Sequence, residues 1–293
     1  MKMQRHNNGT ISILVILIIL FSALAAGTGI FYTGGTGPFE HISVRGQEVM
    51  IYGQGVYRHM SADVAIQGIA QDYVTLFAAI PFLLISLIMF RRGTLAGKYM
   101  VAGGLFYFLV TYLFYLVMGT YNELFLVYTV LAGLSFFALS IVIMAFDTEK
   151  LPGLFSEKLP VKLTGGFLIF NSVAISALWL SVVLPPVFDG SIIPESVAHY
   201  TTLIVQGLDL AILLPLSFLS GLLFMRRKPL GYLLAPVYFV FLSLLMVALV
   251  AKILFMSANG VPPGPSIVVI PVTTIISVAC AIVILKNIKS ERL

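Results

Sequence analysis

Two short polar stretches of the chain could carry chemistry, because each places a glutamine and an aspartate beside a long apolar run. The stretches are "IQGIAQD", residues 66–72, and "VQGLD", residues 205–209. An ionisable group in a membrane-length segment indicates a functional site by default. The alternative is structural, since carboxylates also stabilise the positive N-terminal end of a helix. The candidate substrate-binding residues from these stretches are Gln71, Asp72, Gln206 and Asp209.

Further polar residues lie in or beside apolar runs and join the candidate substrate-binding site. Lys252 either extends its ammonium group to lipid headgroups or pairs with one of the two aspartates. Asn171 lies deep in its run, where an amide needs a partner, so it either binds a ligand or hydrogen-bonds to another helix. Glu123 lies at the boundary of a run, and Tyr112 belongs to a stripe of hydroxyl side chains on one helix face. That stripe consists of Tyr107, Thr111, Tyr112 and Tyr115.

Several reaction classes are excluded because the sequence lacks their motifs. It contains no P-loop, no H-E-x-x-H zinc motif and no G-x-S-x-G nucleophile motif. The one cysteine, Cys280, cannot form an intramolecular disulfide or a cysteine-based metal cluster. The sequence therefore predicts no catalytic residue, no metal site and no cofactor, and it favours a protein that is not an enzyme.

The elements that position these residues are apolar helices. Of the 293 residues, 59% are hydrophobic and 10% are charged, whereas a soluble domain carries about 25% charged residues. Apolar runs of about 18 or more residues recur, and each is long enough to cross a hydrocarbon core about 30 Å thick. The predicted fold class is an all-α integral membrane protein with about eight transmembrane helices. The predicted spans are residues 11–32, 72–90, 99–119, 123–146, 163–185, 203–225, 229–256 and 266–285.

The chain is predicted to form a single membrane domain, residues 1–293, with one ordered cap. Residues 33–71 form this cap, which contains a short β-hairpin around Gly46. The first span allows two interpretations. A basic start, an apolar stretch and the small residues of Ala23-Leu24-Ala25 are typical of a cleaved signal peptide. The apolar stretch continues to Tyr32, which favours a retained anchor.

The placement of charge predicts the orientation of the helices. All but three of the 17 lysines and arginines fall on the same side as the N-terminus, and the exceptions are Arg45, Arg58 and Lys252. Positive residues concentrate in cytoplasmic loops, so both termini are predicted to be cytoplasmic and the cap to lie outside. The same rule accounts for the basic sequence pI of about 9.3. The predicted partner is therefore the lipid bilayer, with a small molecule or an ion as ligand and no nucleic acid.

The two polar stretches also indicate an internal repeat. Each is followed by an apolar run that ends in an arginine pair, Arg91-Arg92 in the first copy and Arg226-Arg227 in the second. Together with the preceding spans, this pattern predicts a 4+4 arrangement of two parallel halves. Substrate sites of such proteins are favoured at the interface between the halves. The alternative is shared composition, because apolar runs match one another by chance.

The cap and the start of the second span carry a pattern of their own. The stretch "VRGQEVMIYGQGVYR", followed by "QDYVTL", resembles a group of uncharacterised multi-pass prokaryotic membrane proteins with R-G-x-x-V-x-x-Y-G-x-G-x-Y-R in an outer loop. The resemblance implies a prokaryotic inner-membrane protein and no particular activity. It also implies that Tyr57, Arg58 and Asp72 act together, with Arg58 reaching the carboxylate, so Tyr57 and Arg58 join the candidate site.

Three functions fit these predictions. The preferred one is transport or binding of a small molecule or an ion through an outward-facing polar site, which the repeat and the ionisable residues near the outer surface favour. The second is an accessory or sensory protein that binds a partner through its cap, which the lack of charge near the membrane midplane favours. The third is an intramembrane enzyme that acts on a lipid. For that chemistry Asp72, Asp209, Glu123 and the histidines are the available groups.

Overall fold

The computed structural model describes residues 2–117, 120–262 and 264–289, with side chains described from Asn8 onward. Within these residues, eight helices are long and apolar enough to cross a membrane. This confirms the predicted helical class and the predicted number of candidate spans. The end of the predicted third span, at residues 118–119, lies outside the described residues, as do Arg292 and the side chains of Lys2 and Arg5, which the charge count included.

The helices follow one another along the chain, with the longest connections between α1 and α2 and between α7 and α8. They are α1 (Lys2–Phe31), α2 (Ala62–Val74), α3 (Ile80–Arg91), α4 (Leu95–Val117), α5 (Phe125–Met144), α6 (Val161–Val183), α7 (Pro185–Phe188), α8 (Ile204–Leu208), α9 (Leu214–Met225), α10 (Pro229–Ala258) and α11 (Ser266–Lys286). Two five-residue π-helical segments, Thr75–Ala79 and Asp209–Leu213, join α2 to α3 and α8 to α9. Each candidate span built this way is therefore one continuous helix with a wide turn inside it.

A proline accompanies each π-helical segment. Pro81 and Pro215 are the second residues of α3 and α9, directly after the segments. A proline within a helix lacks the N–H for a normal backbone hydrogen bond and its ring clashes with the preceding turn. A π-turn widens the helix at that point, and such turns are frequent at functional sites. The sequences "AAIP" and "ILLP", which end at Pro81 and Pro215, thus give both helices an irregularity at the same place.

The two proline-containing helices also end alike. Each is followed by a residue in the left-handed region, Gly93 with φ 74° and Arg227 with φ 54°. A glycine then packs on the backbone at the end of the preceding helix, Gly97 against α3 and Gly231 against α9. The left-handed residues, the packed glycines and the π-helical segments are all separated from their counterparts by the same number of residues.

Helices α4 and α10 form the centre of the bundle. They pack against each other, and α4 also packs on α3 and α5, while α10 packs on α2, α9 and α11. The hydroxyl of Tyr99 donates a hydrogen bond to the carbonyl of Tyr232 at 2.7 Å. Phe106 and Phe241 contact each other with ring centroids 4.2 Å apart. These two helices bury most of the large side chains and fix the spacing of the helices around them.

The cap contains the predicted hairpin. Strands β1 (Phe39–Ile42) and β2 (Glu48–Ile51) pair antiparallel, with Phe39 opposite Ile51. The turn between them includes Gly46 at φ 79°, a conformation that glycine adopts at no steric cost. We call the end of the bundle that carries this hairpin the cap end. The opposite end, with Arg91 and Arg226, is the arginine end.

The second candidate span begins earlier than predicted. Helix α2 starts at Ala62, not at residue 72, and "IQGIAQD" therefore lies inside a helix. Asp72 is ten residues, about 15 Å at the ordinary rise, from the start of that helix. The interpretation of Asp72 as a helix start is wrong. The polar residues of α2 face other polar side chains in the bundle, so the helix continues through a stretch whose composition is typical of a loop.

Candidate functional site

The carboxylate of Asp72 is enclosed by the protein. Asp72 lies on α2 and is 1% exposed. The hydroxyl of Tyr57, from the cap, donates a hydrogen bond to Oδ2. The hydroxyl of Tyr115, from α4, lies 3.1 Å from Oδ1 and 3.0 Å from the carbonyl of Gly68. A buried carboxyl group needs such partners, because an unpaired one costs several kcal/mol.

Helix α1 closes this site from the other side. Gly29 packs directly on the carboxylate, and a Cβ atom at that position would overlap Asp72 and contact the hydroxyl of Tyr57. A glycine is therefore required for α1 to approach this closely. No signal in the sequence pointed to this residue, because "GTGI" is typical of the end of an apolar run.

Further tyrosines surround Asp72. The side-chain amide of Gln71 donates to the hydroxyl of Tyr107 at 2.6 Å and lies 3.4 Å from that of Thr111. The hydroxyls of Tyr112 and Tyr128 are buried and have no hydrogen-bond partner among the described residues. The rings of Tyr112 and Tyr128 stack with centroids 6.1 Å apart. We call these side chains the tyrosine cluster, which consists of Tyr57, Tyr107, Tyr112, Tyr115 and Tyr128.

The other aspartate occupies a more open position. Asp209 is the first residue of the second π-helical segment and is half-buried. Its Oδ2 accepts a hydrogen bond of 2.8 Å from the indole N–H of Trp179 on α6. The structure makes Trp179 the hydrogen-bond partner of this carboxylate. The aromatic ring and the acid belong to different helices that are far apart in the chain, and no local pattern connects them.

Lys252 interacts electrostatically with both aspartates. It is half-buried on α10, and its ammonium group interacts electrostatically with Asp209 and, more weakly, with Asp72. Neither carboxylate forms a direct ion pair with it in the described part of the chain. The predicted pairing of Lys252 with an aspartate is therefore not formed as a direct ion pair, and the two acids act on its charge at longer range. One cation thus acts on two acids that belong to different parts of the sequence.

Arg58 does not reach Asp72. Its guanidinium group pairs with Glu123 at the start of the segment before α5, and its Nε donates to His59 at 3.2 Å. A backbone hydrogen bond and this arginine lower the pKa of Glu123. The expected contact between Arg58 and the buried carboxylate is therefore wrong, and the neighbouring Tyr57 makes that contact instead. The reason is that the short 3₁₀ turn at Gly55–Tyr57 directs adjacent side chains to different sides of the cap.

Two candidates from the sequence lie apart from Asp72. Asn171 is 8% exposed in the α6–α9 contact, where the neighbouring Ser172 donates to the carbonyl of Leu214 at 2.6 Å. This position agrees with a role in holding helices together. Gln206 is half-buried and lines a cavity at the cap end near Asp209.

Comparisons of the chain with protein-family models, with curated proteins and with solved structures find no match. The function must therefore be argued from the arrangement of the side chains.

Proposed function

We propose that the chain is a multi-pass membrane protein that transports or binds a small molecule or an ion, with Asp72, Lys252 and Asp209 as its charged centre. The observation that carries this proposal is the carboxylate of Asp72, which Tyr57, Tyr115 and Gly29 enclose inside a candidate span. Lys252 interacts electrostatically with this carboxylate and with that of Asp209. Ionisable residues within spans are rare, pair with one another and mark substrate or proton pathways. Three such residues grouped in one bundle are difficult to explain by stability alone.

The proposal includes an internal repeat of two parallel halves, α1–α5 and α6–α11. The two π-helical segments, the left-handed residues and the packed glycines all recur at one common spacing. The sequence offset between these repeated features is one residue shorter than the offset that aligns Arg91-Arg92 with Arg226-Arg227. The shorter offset matches Arg92 with Arg226. The contacts also support a two-fold relation, because α2 packs on α10 and α8 packs on α4. The charged centre then lies where the halves meet.

The proposed location is a prokaryotic inner membrane with the cap end outside. The arginine end carries Arg91, Arg92, Arg226 and Arg227, and positive residues concentrate in cytoplasmic loops. The cap end carries the acids of the candidate site and the hairpin. Helix α1 runs without interruption past Ala25 to Phe31 and packs on α2, α3 and α5, which supports a retained anchor.

In the proposed mechanism, a proton moves onto or off Asp72. When Asp72 takes up a proton from the cap end, its negative charge disappears and the attraction of Lys252 shifts towards Asp209. When the proton leaves, both carboxylates attract Lys252 again. Because α10 carries Lys252 and contacts both halves, this change of charge can be linked to movement of one half against the other. The described residues contain no group of three or more histidine, cysteine, aspartate or glutamate side chains that could hold a metal ion.

The test uses the purified chain in proteoliposomes that contain a pH-sensitive dye. A potassium gradient with valinomycin provides the driving force, and proton entry is followed by the dye. We expect proton flux above that of protein-free vesicles, and loss of that flux in Asp72→Asn, which keeps the size of the side chain but cannot titrate. Lys252→Met is expected to have the same effect.

The matched control is Asp63→Asn. Asp63 is on the same helix, is exposed and lies in its first turn, so its replacement should leave the flux unchanged. Infrared difference spectra on changing the pH should contain a protonated-carboxyl band that Asp72→Asn removes. Equal flux in the unmodified chain, in Asp72→Asn and in empty vesicles would overturn the proposal.

One observation favours the accessory function as the second candidate. The hairpin exposes large apolar side chains, among them Ile42 at 66% and Val44 at 95%. Exposed apolar residues that are grouped mark interaction sites. A chain without proton flux that still needs these two side chains to retain a partner protein would support this alternative.

A further inference from the structure

A cavity of about 370 Å³ lies at the cap end, between the end of α6 and the start of α8. Its walls are largely apolar and include Val183, Leu203 and Leu210. Arg45, from the hairpin turn, is the one charged residue among those that line it. The polar side of the cavity is formed by Arg45, Thr201, Thr202 and Gln206. A cavity with one apolar and one cationic side fits an amphipathic anion.

Arg45 is held in place and still has donors available. Its Nη2 donates to the carbonyls of Ala198 and Tyr200, both at 2.6 Å. No described residue accepts a hydrogen bond from its Nε or Nη1. The two carbonyls fix the orientation of this guanidinium group, and its Nε and Nη1 lie on different edges, so that each can donate one hydrogen bond to a phosphate oxygen.

The cavity lies beside the ends of two candidate membrane spans. Val183 and Leu210 belong to helices that are candidate spans. The connection between these helices exposes large apolar residues, with Phe188 at 82% and Ile192 at 76%. Side chains of this kind, beside the ends of apolar helices, insert at the boundary between lipid headgroups and acyl chains. A ligand in this cavity therefore has direct access from the lipid.

We infer that the cavity binds an anionic phospholipid. The phosphate is bound by Arg45 and the two threonines, and the first carbons of an acyl chain lie against Val183 and Leu210. This inference needs the chain to lie in a membrane, but it does not depend on proton transport. It assigns a role to Arg45, one of three cations that the charge pattern placed on the cap side.

The experiment measures thermal unfolding of the whole chain in detergent micelles to which either phosphatidylglycerol or phosphatidylcholine is added. We expect phosphatidylglycerol to raise the unfolding midpoint by several degrees more than phosphatidylcholine does. Arg45→Gln removes the cation and should abolish the difference. Gly207→Leu should also abolish it, because Gly207 lines the cavity, a Cβ atom there meets nothing within 4 Å, and the leucine side chain would take up cavity space.

The matched control for the second variant is Gly166→Leu. Gly166 is on α6, away from the cavity lining, and a Cβ atom there also meets nothing. This variant should keep the preference for phosphatidylglycerol. Since Gly207→Leu changes no charge, a preference that survives in it comes from general attraction to anionic lipid and overturns the inference. An equal effect of glycerol phosphate without acyl chains would also overturn it, because the ligand would then be a free phosphate ester.

Discussion

The two halves of the bundle place an aspartate near the same kind of helix irregularity but in different surroundings. Asp72 is 1% exposed and accepts hydrogen bonds from tyrosines of the cap and of α4. Asp209 is half-buried and accepts one, from Trp179. Helix α1 packs along α5, whereas the described parts of α6 and α11 show no comparable contact. The flanking helices therefore decide whether a carboxylate is enclosed or accessible.

This difference has a consequence for the proposed mechanism. A charge on Asp72 is shielded from water by the tyrosine cluster and by α1, while a charge on Asp209 lies close to the cavity at the cap end. Lys252 interacts with both. The enclosed acid is suited to hold a proton, and the accessible one is suited to receive the cation when that proton is bound.

Gly29→Ala should destabilise the enclosed site most. The added methyl group overlaps the carboxylate of Asp72, which two tyrosines hold in place. Overpacking of this kind costs about 1–3 kcal/mol, and we expect a lower midpoint of thermal unfolding. Gly27→Ala is the control, because a Cβ atom at Gly27 on the same helix meets nothing. Equal midpoints for the two variants would show that α1 does not close the site.

Tyr57→Phe should cost more stability than Trp179→Phe. The first variant removes a donor to a buried carboxylate, and hydrogen bonds to charged groups contribute about 1.5–3 kcal/mol. The second removes a donor to a half-buried carboxylate that water can partly replace, so its loss should cost less. Chemical denaturation of both variants in the same detergent gives the comparison. A larger loss for Trp179→Phe would contradict the assignment of Asp72 as the enclosed acid.

The junction between the cap and the second half should loosen in acid. His199 lies near His41 and contacts the carbonyl of His59 at 3.1 Å. Burial lowers its pKa below the usual 6.5, His41 and Arg45 lower it further, and the His59 carbonyl and Asp63 act in the opposite direction. The folded protein therefore favours the neutral ring. The stability that this ring contributes is complete above about pH 6.5 and is lost as the pH falls through the folded pKa.

Hydrogen exchange of residues 195–202 at several pH values checks this prediction. Protection should fall on acidification in the unmodified chain and should change less in His199→Gln. The same exchange in both proteins would mean that another group controls the junction. The helices around Asp72 serve as the internal reference, because the cap contact of His199 lies outside them.

The pair of Arg58 and Glu123 should contribute least. Its side chains are 32% and 52% exposed, and exposed ion pairs are typically worth about 0.2–1 kcal/mol. A double-mutant cycle with Arg58→Gln and Glu123→Gln should give a coupling energy in this range that decreases with added salt. A coupling energy comparable to the cost of Tyr57→Phe would show that the cap is fixed by this pair and not by the tyrosine.

The sequence predicted the helical class, the eight candidate spans and the hairpin, because each depends on local information. An apolar run of sufficient length forms a helix in lipid whatever surrounds it, and a glycine between alternating residues permits a tight turn. The sequence also singled out Asp72 and Asp209, since an acid beside an apolar run is unusual, and their role in function stays a prediction. The start of α2 could not be predicted from the sequence. Polar residues of this helix hydrogen-bond to side chains that lie far along the chain.

The partner of each ionisable group is determined by the tertiary structure. Tyr115 is 43 residues from Asp72, Trp179 is 30 residues from Asp209, and Arg45 contacts carbonyls of Ala198 and Tyr200 in the second half of the chain. Hydropathy and spacing place a side chain on a helix, but the packing of α1, α4 and α10 determines what that side chain meets. Local sequence thus sets where charge occurs in the apolar helices. The packing of those helices encloses Asp72, leaves Asp209 half-buried and lets Lys252 interact electrostatically with both.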